Sequence, residues 1–275
     1  MLRTCLLSLC LLCLAAWCAI AVGCGGSSSA PNANCAGGPY NVAGDWQTTF
    51  TSGSASLTGY GVINSSGLAL FFDNSAPGFQ TGDTLELPSI TGACYFSGSF
   101  ISYGEPGSVQ SGSTAVVTDS AQGNVTSATS ITGTFSGTTS GKFTMAPSTP
   151  LSGSPVALSG TLTAQSQGAF TNGEMLALLK LNLTFAPTGT GASMSFSGSD
   201  GVSCNASGTF TEESTDNVFD VSITLAGASC AVTGSLTGLG FESNTDYFNM
   251  NDNTAGTYLY ADILNSSNTF VLEIF

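Results

Sequence analysis

Carboxylates are the first residues in this sequence whose chemistry could be catalytic. Glu212 and Glu213 are the one adjacent pair of glutamates, and Asp83 and Glu86 flank a predicted turn. Two carboxyl groups are enough for glycoside hydrolysis, which needs an acid and a base or nucleophile. On a strand, however, neighbouring side chains point to opposite faces, so Glu212 and Glu213 could not easily share a substrate. We therefore predict no catalytic residue and keep a glycan hydrolase as the alternative.

Residues 244–253 are rich in the oxygen ligands that calcium prefers. The acids and amides of this run are Asp246, Asn249, Asn251, Asp252 and Asn253. An EF-hand needs Gly at its sixth position and an acid at its twelfth, where a loop counted from Asn249 has Thr254 and Tyr260. A polar hairpin tip is the preferred interpretation. We predict no metal site, and a calcium-steadied adhesin remains a further alternative.

Two tyrosines and an acid are spaced to share one strand face. Tyr258, Tyr260 and Asp262 alternate along a predicted strand, so this face could bind a sugar or line the mouth of a barrel. Ordinary cross-strand packing is the alternative. Trp46 lies in an alternating segment with Thr48 and Phe50, which is typical of a core position.

The charge balance excludes several function classes. The 275 residues include 3 Lys and Arg against 17 Asp and Glu, and no His, for a formal net charge of -14. So few cations cannot neutralise a row of phosphates, which excludes nucleic acid as a partner. Without histidine, catalysis by Ser-His or Cys-His pairs and metal binding by imidazole are also excluded. We expect no cofactor.

The N-terminus carries an export signal. Arg3 precedes an apolar run from Cys5 to Val22, and the small residues that close the run favour a cleaved signal peptide over a membrane-spanning helix. Ala21-Val22-Gly23-Cys24 resembles a bacterial lipobox. The resemblance implies cleavage between Gly23 and Cys24 and lipid attachment at Cys24, with anchoring in the bacterial cell envelope. The absence of Asp after Cys24 implies the outer membrane. A plain secreted protein is the alternative.

Four cysteines then remain in the exported chain, namely Cys35, Cys94, Cys204 and Cys230. An even number in an oxidising compartment predicts disulfides. Three pairings are open, of which Cys204–Cys230 and Cys35–Cys94 cross the fewest elements. Buried free thiols are the alternative.

Alternating hydrophobicity predicts an all-β fold after the signal-peptide helix. In residues 217–225, Phe219, Val221, Ile223 and Leu225 occupy one face. Residues 180–185 and 268–275 show the same pattern. Further strands are predicted at 46–51, 84–90, 93–101, 130–136, 142–145, 156–164, 202–211, 228–236 and 257–264. Residues 172–180 could be a short helix or the start of a strand. Many short antiparallel strands indicate a β-barrel or sandwich.

Three short patterns occur twice, in the same order. The pattern C-x-x-S-G-[ST]-F begins at Cys94 and at Cys204, each copy follows a similar opening strand, and each precedes T-G-[ST]-[FL]-[ST]-G. We therefore predict two similar halves, with a proline-rich seam at residues 146–155. The predicted organisation is a signal peptide at 1–23, a flexible Gly/Ser tether at 24–41, and β domains at 42–150 and 151–275.

Residues 201–275, with "GVSCNASGTF" and "NVFDVSITLAGASC", resemble acidic, Gly/Thr-rich bacterial lipoproteins of uncharacterised function. The resemblance implies a β fold and no activity. We expect a non-catalytic binding or structural module, anchored to the membrane by its N-terminal lipid. A barrel interior could hold a small apolar ligand, and a glycan is the other candidate ligand.

Overall fold

The computed structural model describes residues 38–73, 84–103, 116–138, 140–148, 154–167, 180–189, 191–213, 217–230, 232–244, 257–264 and 269–275. Every regular element in these ranges is a β-strand. The strands form two closed antiparallel barrels of eight strands each, which confirms the all-β fold with two similar halves.

The first barrel follows the chain from strand to strand around its wall, and β8 closes it against β1. Its strands are β1 (Gly44–Ser52), β2 (Ala55–Ile63), β3 (Ala69–Asp73), β4 (Thr84–Leu87), β5 (Tyr95–Tyr103), β6 (Val116–Ser127), β7 (Ser130–Ser136) and β8 (Ser140–Pro147).

The second barrel has the same topology, and β16 closes it against β9. Its strands are β9 (Gly160–Gln167), β10 (Lys180–Pro187), β11 (Met194–Ser199), β12 (Asn205–Glu212), β13 (Phe219–Ala226), β14 (Gly234–Ser243), β15 (Tyr258–Leu264) and β16 (Thr269–Ile274).

The alternation in the sequence decides which side chains fill each barrel. In β13 the four predicted apolar residues are buried and the residues between them are exposed, and β10 buries Leu181, Leu183 and Phe185 in the same way. Each barrel has its own interior core, and phenylalanine rings supply much of both. Trp46 is part of the first core, where its Nε1 donates a hydrogen bond to the Val42 carbonyl at 2.8 Å.

Glycines in the walls make room for these rings. A Cβ on Gly133 of β7 would overlap the ring of Phe143, and a Cβ on Gly208 of β12 would overlap the ring of Phe196. The large ring and the missing side chain are therefore complementary. This close approach explains why glycine is tolerated inside these strands, where it usually weakens a sheet.

Four strands were missed by the sequence prediction, and most of the predicted strands have different bounds in the structure. The missed strands are β2, β3, β6 and β11. The strand predicted at 84–90 ends at Leu87, because Pro88 has no N–H to donate. The strand predicted at 156–164 begins at Gly160, because the Val156 amide bonds a carboxylate instead of a neighbouring strand. The strand predicted at 228–236 begins at Gly234. Of residues 172–180, the structure describes only Lys180, which begins β10.

Two of the three repeated patterns do not occupy equivalent places in the two barrels. The similar opening segments fall at β1 and β9, the first strand of each barrel. The cysteine pattern, however, begins just before β5 in the first barrel and just before β12 in the second, which are the fifth and fourth strands. The third pattern falls in β7 and β14 and is displaced in the same way. The two halves therefore share an architecture, but the second and third repeated patterns lie one strand earlier in the second barrel than in the first.

Cys204 and Cys230 form a disulfide with a Cα–Cα distance of 4.7 Å, which is one of the pairings that the sequence left open. The bond joins the start of β12 to the turn between β13 and β14. Cys94 is also disulfide-bonded. Its predicted partner, Cys35, lies outside the described residues.

Candidate functional site

The outer walls of the two barrels meet in a buried, largely aromatic cluster. Phe72 of β3 stacks on Phe241 of β14, with ring centroids 6.1 Å apart and planes inclined by 6°. It also stacks on Tyr260 of β15 at 5.7 Å. The junction cluster, as we call it, consists of Val62, Leu70, Phe72, Val218, Leu239, Phe241, Tyr258 and Tyr260.

The predicted ligand face on β15 is part of this junction cluster. Tyr258 and Tyr260 are 6% and 0% exposed and stack on each other at 6.3 Å, and the Tyr260 hydroxyl donates to Glu273 Oε1 at 3.0 Å. The tyrosine rings therefore pack against the first barrel and do not form an open ligand face. Asp262 lies in β15, paired with Leu239 and Val271, and its side chain is not among those described.

A cleft of about 430 Å³ opens beside the junction cluster. Its apolar lining includes Leu68, Leu70, Leu239 and Leu264, and its polar lining residues are Glu86, Thr209, Thr211, Asp220, Ser222 and Thr237. Glu86 belongs to β4 of the first barrel and Asp220 to β13 of the second. The cleft therefore presents one carboxyl group from each barrel.

Asp220 is the carboxyl group of the cleft whose ionisation is perturbed. Partial burial raises its pKa above the ordinary value, and the neighbouring charge of Glu213 raises it further. A hydrogen bond from the Asn64 side chain opposes both effects. A carboxyl group with a raised pKa can hold its proton longer, which is what a general acid requires.

Hydrogen bonds also join the two barrels. Asn217, in the loop before β13, donates from Nδ2 to Asp45 Oδ2 of β1 at 2.7 Å. Glu213 Oε2 accepts from the Ser65 amide of the first barrel, also at 2.7 Å. The adjacent glutamates noted in the sequence therefore have different partners. Glu213 bonds an amide of the first barrel, whereas Glu212 Oε2 accepts from the Ala192 amide within the second barrel.

One end of the second barrel contains a buried carboxyl group. This end, where β10, β12, β14 and β16 terminate, is here called the mouth. Glu242 of β14 pairs directly with Leu259, which belongs to the interior core, so the carboxyl group points inward. It is 1% exposed, and Oε2 accepts a hydrogen bond from the Val156 amide at 3.0 Å. Oε1 has no hydrogen-bond partner among the described residues.

The environment of Glu242 opposes its ionisation. Burial, and to a smaller extent the charge of Glu212, raise its pKa to about 7 against the opposing effect of the hydrogen bond from Val156. Asn217 holds the backbone of the same residue, since its Nδ2 donates to the Glu242 carbonyl at 2.8 Å and its Oδ1 accepts from the Glu242 amide at 2.9 Å. Asn217 has a φ of 58°, which asparagine tolerates better than most residues.

Other acids serve as acceptors for loop amides. Asp200 Oδ1 accepts from the amides of Val202, Ser203 and Cys204 at 2.8, 3.0 and 2.9 Å. A hydrogen bond from the Ser229 hydroxyl, together with these amides, lowers the Asp200 pKa to about 2. This arrangement orders the turn beside the Cys204–Cys230 disulfide.

Most of the remaining predicted site residues lie outside the described part of the chain. Gly23 and Cys24, and with them the lipid attachment site, precede the first described residue. Of the run proposed for calcium, only Asn244 is described. Within the described ranges, no group of three or more His, Cys, Asp or Glu side chains is arranged to hold a metal ion.

Sequence analysis did not single out Glu242, Asn217 or Phe72, which are central to the mouth and to the contact between the barrels. Glu242 stands in the run Leu239-Gly240-Phe241-Glu242-Ser243, and a single acid in an apolar strand is a signal for a buried carboxyl group. Asn217 and Phe72 had no comparable signal. Their roles depend on which strands of the other barrel lie opposite.

Comparison with models of known protein families, with curated proteins and with solved structures finds no match for this chain. None of the described segments forms a helix with the length and hydrophobicity needed to span a bilayer.

Proposed function

We propose that this protein is a lipid-anchored, non-catalytic binding or structural module of the bacterial cell envelope. Its N-terminal lipid on Cys24 is the proposed link to the membrane, most simply the outer membrane. The lipobox-like residues Ala21–Cys24 support this anchor, and the Gly/Ser-rich residues that follow suit a tether that holds the barrels away from the surface.

The observation that carries the non-catalytic proposal is how the acids are used. Asp119, Asp200, Glu212, Glu213 and Glu242 each accept a hydrogen bond from at least one backbone amide. Acids engaged in this way stabilise loops and barrel ends. A largely acidic, Thr- and Ser-rich surface then keeps the module soluble beside the membrane.

We place ligand binding in the cleft between the barrels, because the interior of each barrel is packed with side chains. The leucines that line the cleft suit a small apolar ligand, and its carboxyl and hydroxyl groups suit a glycan. Native mass spectrometry of gently extracted protein should show a bound ligand mass. Ser222→Trp, which fills the cleft, should remove that mass.

Thr224→Trp is the matched control for the cleft. Thr224 lies two residues further along β13 on the same face and lines a separate depression in the outer wall. It should leave the bound mass in place. Loss of the mass in both variants, or in neither, would argue against binding in the cleft.

The lipid anchor is tested by metabolic labelling with palmitate. The wild-type protein should take up label and fractionate with membranes, whereas Cys24→Ala should do neither. Cys18→Ala, which removes a cysteine from the signal peptide, is the control and should behave as wild type. Label that persists in Cys24→Ala would show that the attachment site is misassigned.

A glycan hydrolase is the second candidate function, because Glu86 of the first barrel and Asp220 of the second both line the cleft. The raised pKa makes Asp220 the candidate acid, and Glu86 would be the base or nucleophile. If this function is correct, Glu86→Gln and Asp220→Asn each lower turnover of a polysaccharide by about 100-fold or more. Asp200→Asn, outside the cleft, should retain activity. Wild-type protein that releases no sugar from a panel of envelope glycans would exclude the hydrolase.

A further inference from the structure

A short segment between the two barrels lies against the mouth of the second barrel. Residues 154–159, here called the strap, precede β9 without forming a strand of their own. Pro155 is buried, Leu158 packs against the interior core, and the Val156 amide is bonded to Glu242. The Val156 side chain itself is 66% exposed. The strap is thus attached at the mouth by the packing of Leu158 against the core and by one hydrogen bond to a carboxyl group.

We propose that the strap is a proton-operated latch, closed over the mouth while the Glu242 carboxyl group is neutral and released when that group ionises. This goes beyond the proposed function, and it does not depend on either ligand binding or the lipid anchor.

The geometry at Glu242 is suited to a neutral carboxyl group. One oxygen accepts a single amide hydrogen bond, and the other is buried with no partner among the described residues. A buried carboxylate normally needs several donors or a cation to replace its water. Release of the strap would admit water to the ionised group, so ionisation and opening favour each other.

The charge of Glu212 acts in the same direction as burial. Glu212 of β12 pairs with Phe219 of the interior core, so its carboxyl group also points inward, and its charge raises the Glu242 pKa. Asp45 of β1 approaches through Asn217, to which it is hydrogen-bonded. The strap itself carries no titratable side chain.

The other groups on the surrounding strands are separated from Glu242 by the barrel wall. The titratable residues at outer-face positions of β13, β15 and β16 are Asp220, Tyr258, Tyr260, Asp262 and Glu273. Lys180 begins β10 at the opposite end of the barrel, and Lys142 lies in β8 of the first barrel. Neither described cation can therefore neutralise an ionised Glu242.

The direction of the pH effect follows from the raised pKa. In the open state Glu242 is expected to ionise near the ordinary value of 4.5, and in the closed state near 7. Closure is therefore most favourable below about pH 4.5 and loses roughly tenfold per pH unit between these values. The closing equilibrium should weaken by about 300-fold in all and should change little above pH 8.

The latch is also connected to the contact between barrels. Asn217 holds the backbone of Glu242 and the Asp45 carboxylate at the same time. Movement of β14 at the mouth would therefore disturb a hydrogen bond that joins the two barrels. The latch gives the molecule a closed form in acid and a looser form at neutral and higher pH.

Hydrogen exchange on the exported chain tests this proposal. Protection of the strap amides, measured by mass spectrometry from pH 5 to pH 8.5 and corrected for intrinsic exchange rates, should fall by about two orders of magnitude in the wild type. Glu242→Gln, which mimics the neutral carboxyl group, should keep the strap protected across this range. Glu213→Gln, next to the mouth but bonded to the first barrel, should follow the wild type.

Two results would overturn the latch. One is strap protection that stays constant with pH in the wild type. The other is a fall in protection that persists in Glu242→Gln. If that variant does not fold, carbon-13 NMR of the wild-type glutamate carboxyl groups decides the question. A Glu242 resonance that titrates near its ordinary value of 4.5 would contradict the proposal, and a midpoint near neutrality would support it.

Discussion

Individual acidic residues in this protein order its loops and barrel ends by accepting hydrogen bonds from backbone amides. Asp200 binds three successive amides and a serine hydroxyl, whereas Glu242 receives one amide in a buried site. The first environment favours the charged carboxylate and lowers its pKa, while the second penalises the charge and raises it. Two side chains that differ by one methylene therefore respond to pH in opposite directions.

The lowered pKa of Asp200 predicts a loss of stability in acid. Because the folded pKa is about 2 and the ordinary value is 3.8, its contribution is present above about pH 4 and is lost as the pH falls through 2. Asp200→Ala should lower the melting temperature at pH 7 and flatten this acid dependence. Asp200→Asn, which keeps one acceptor oxygen, should lose less. Equal melting temperatures for wild type and Asp200→Ala at pH 7 would contradict this role.

At the level of strands, apolar alternation was enough to predict the inward face of β10 and β13. The missed strands contain less of that signal. In β2, the residues Tyr60, Gly61, Val62 and Ile63 are all buried or half-buried, because the inner face meets the core and the outer face meets the other barrel. A strand buried on both faces has no alternation to detect.

Gly133 and Phe143 should be energetically coupled, because the glycine leaves room for the phenylalanine ring. Gly133→Ala would place a methyl group against the Phe143 ring, and such overpacking should destabilise the protein by about 1–3 kcal/mol. Chemical denaturation measures the change, and Thr134→Ala, at an exposed position of the same strand, is the control. Phe143→Leu in the Gly133→Ala background should recover part of the loss. If Phe143→Leu restores no stability, the methyl group added at position 133 clashes with the backbone and not with the Phe143 ring.

For the molecule as a whole, the main consequence of the structure is that two barrels share a buried junction. The cluster around Phe72 draws residues from β2 and β3 on one side and from β14, β15 and the segment before β13 on the other. The cleft, the Asn217–Asp45 hydrogen bond and the mouth all lie along or next to this contact. Ligand binding and barrel coupling therefore involve neighbouring surfaces.

Phe72 should couple the unfolding of the two barrels. Phe72→Ala removes a buried ring that stacks on Phe241 and Tyr260, and should cost about 3–5 kcal/mol. A double-mutant cycle with Phe241→Ala should give an interaction energy of about 1 kcal/mol. Phe275→Ala, at a ring that is 47% exposed, should change stability by less than about 1 kcal/mol. Similar losses for Phe72→Ala and Phe275→Ala would argue against a shared junction.

The sequence by itself left three cysteine pairings open, but it determined the β class, the two halves and the inward faces of the alternating strands. These properties depend on local spacing, since side chains alternate along a strand whatever lies opposite. The tertiary structure alone decided that the tyrosines of β15 are buried and that Glu86 and Asp220 share a cleft. It also decided that Glu242 has Glu212 as a neighbour and that neither of the described lysines lies at the mouth. The physical reason is that burial and pKa depend on which surfaces meet, and residues more than a hundred positions apart in the chain form this junction.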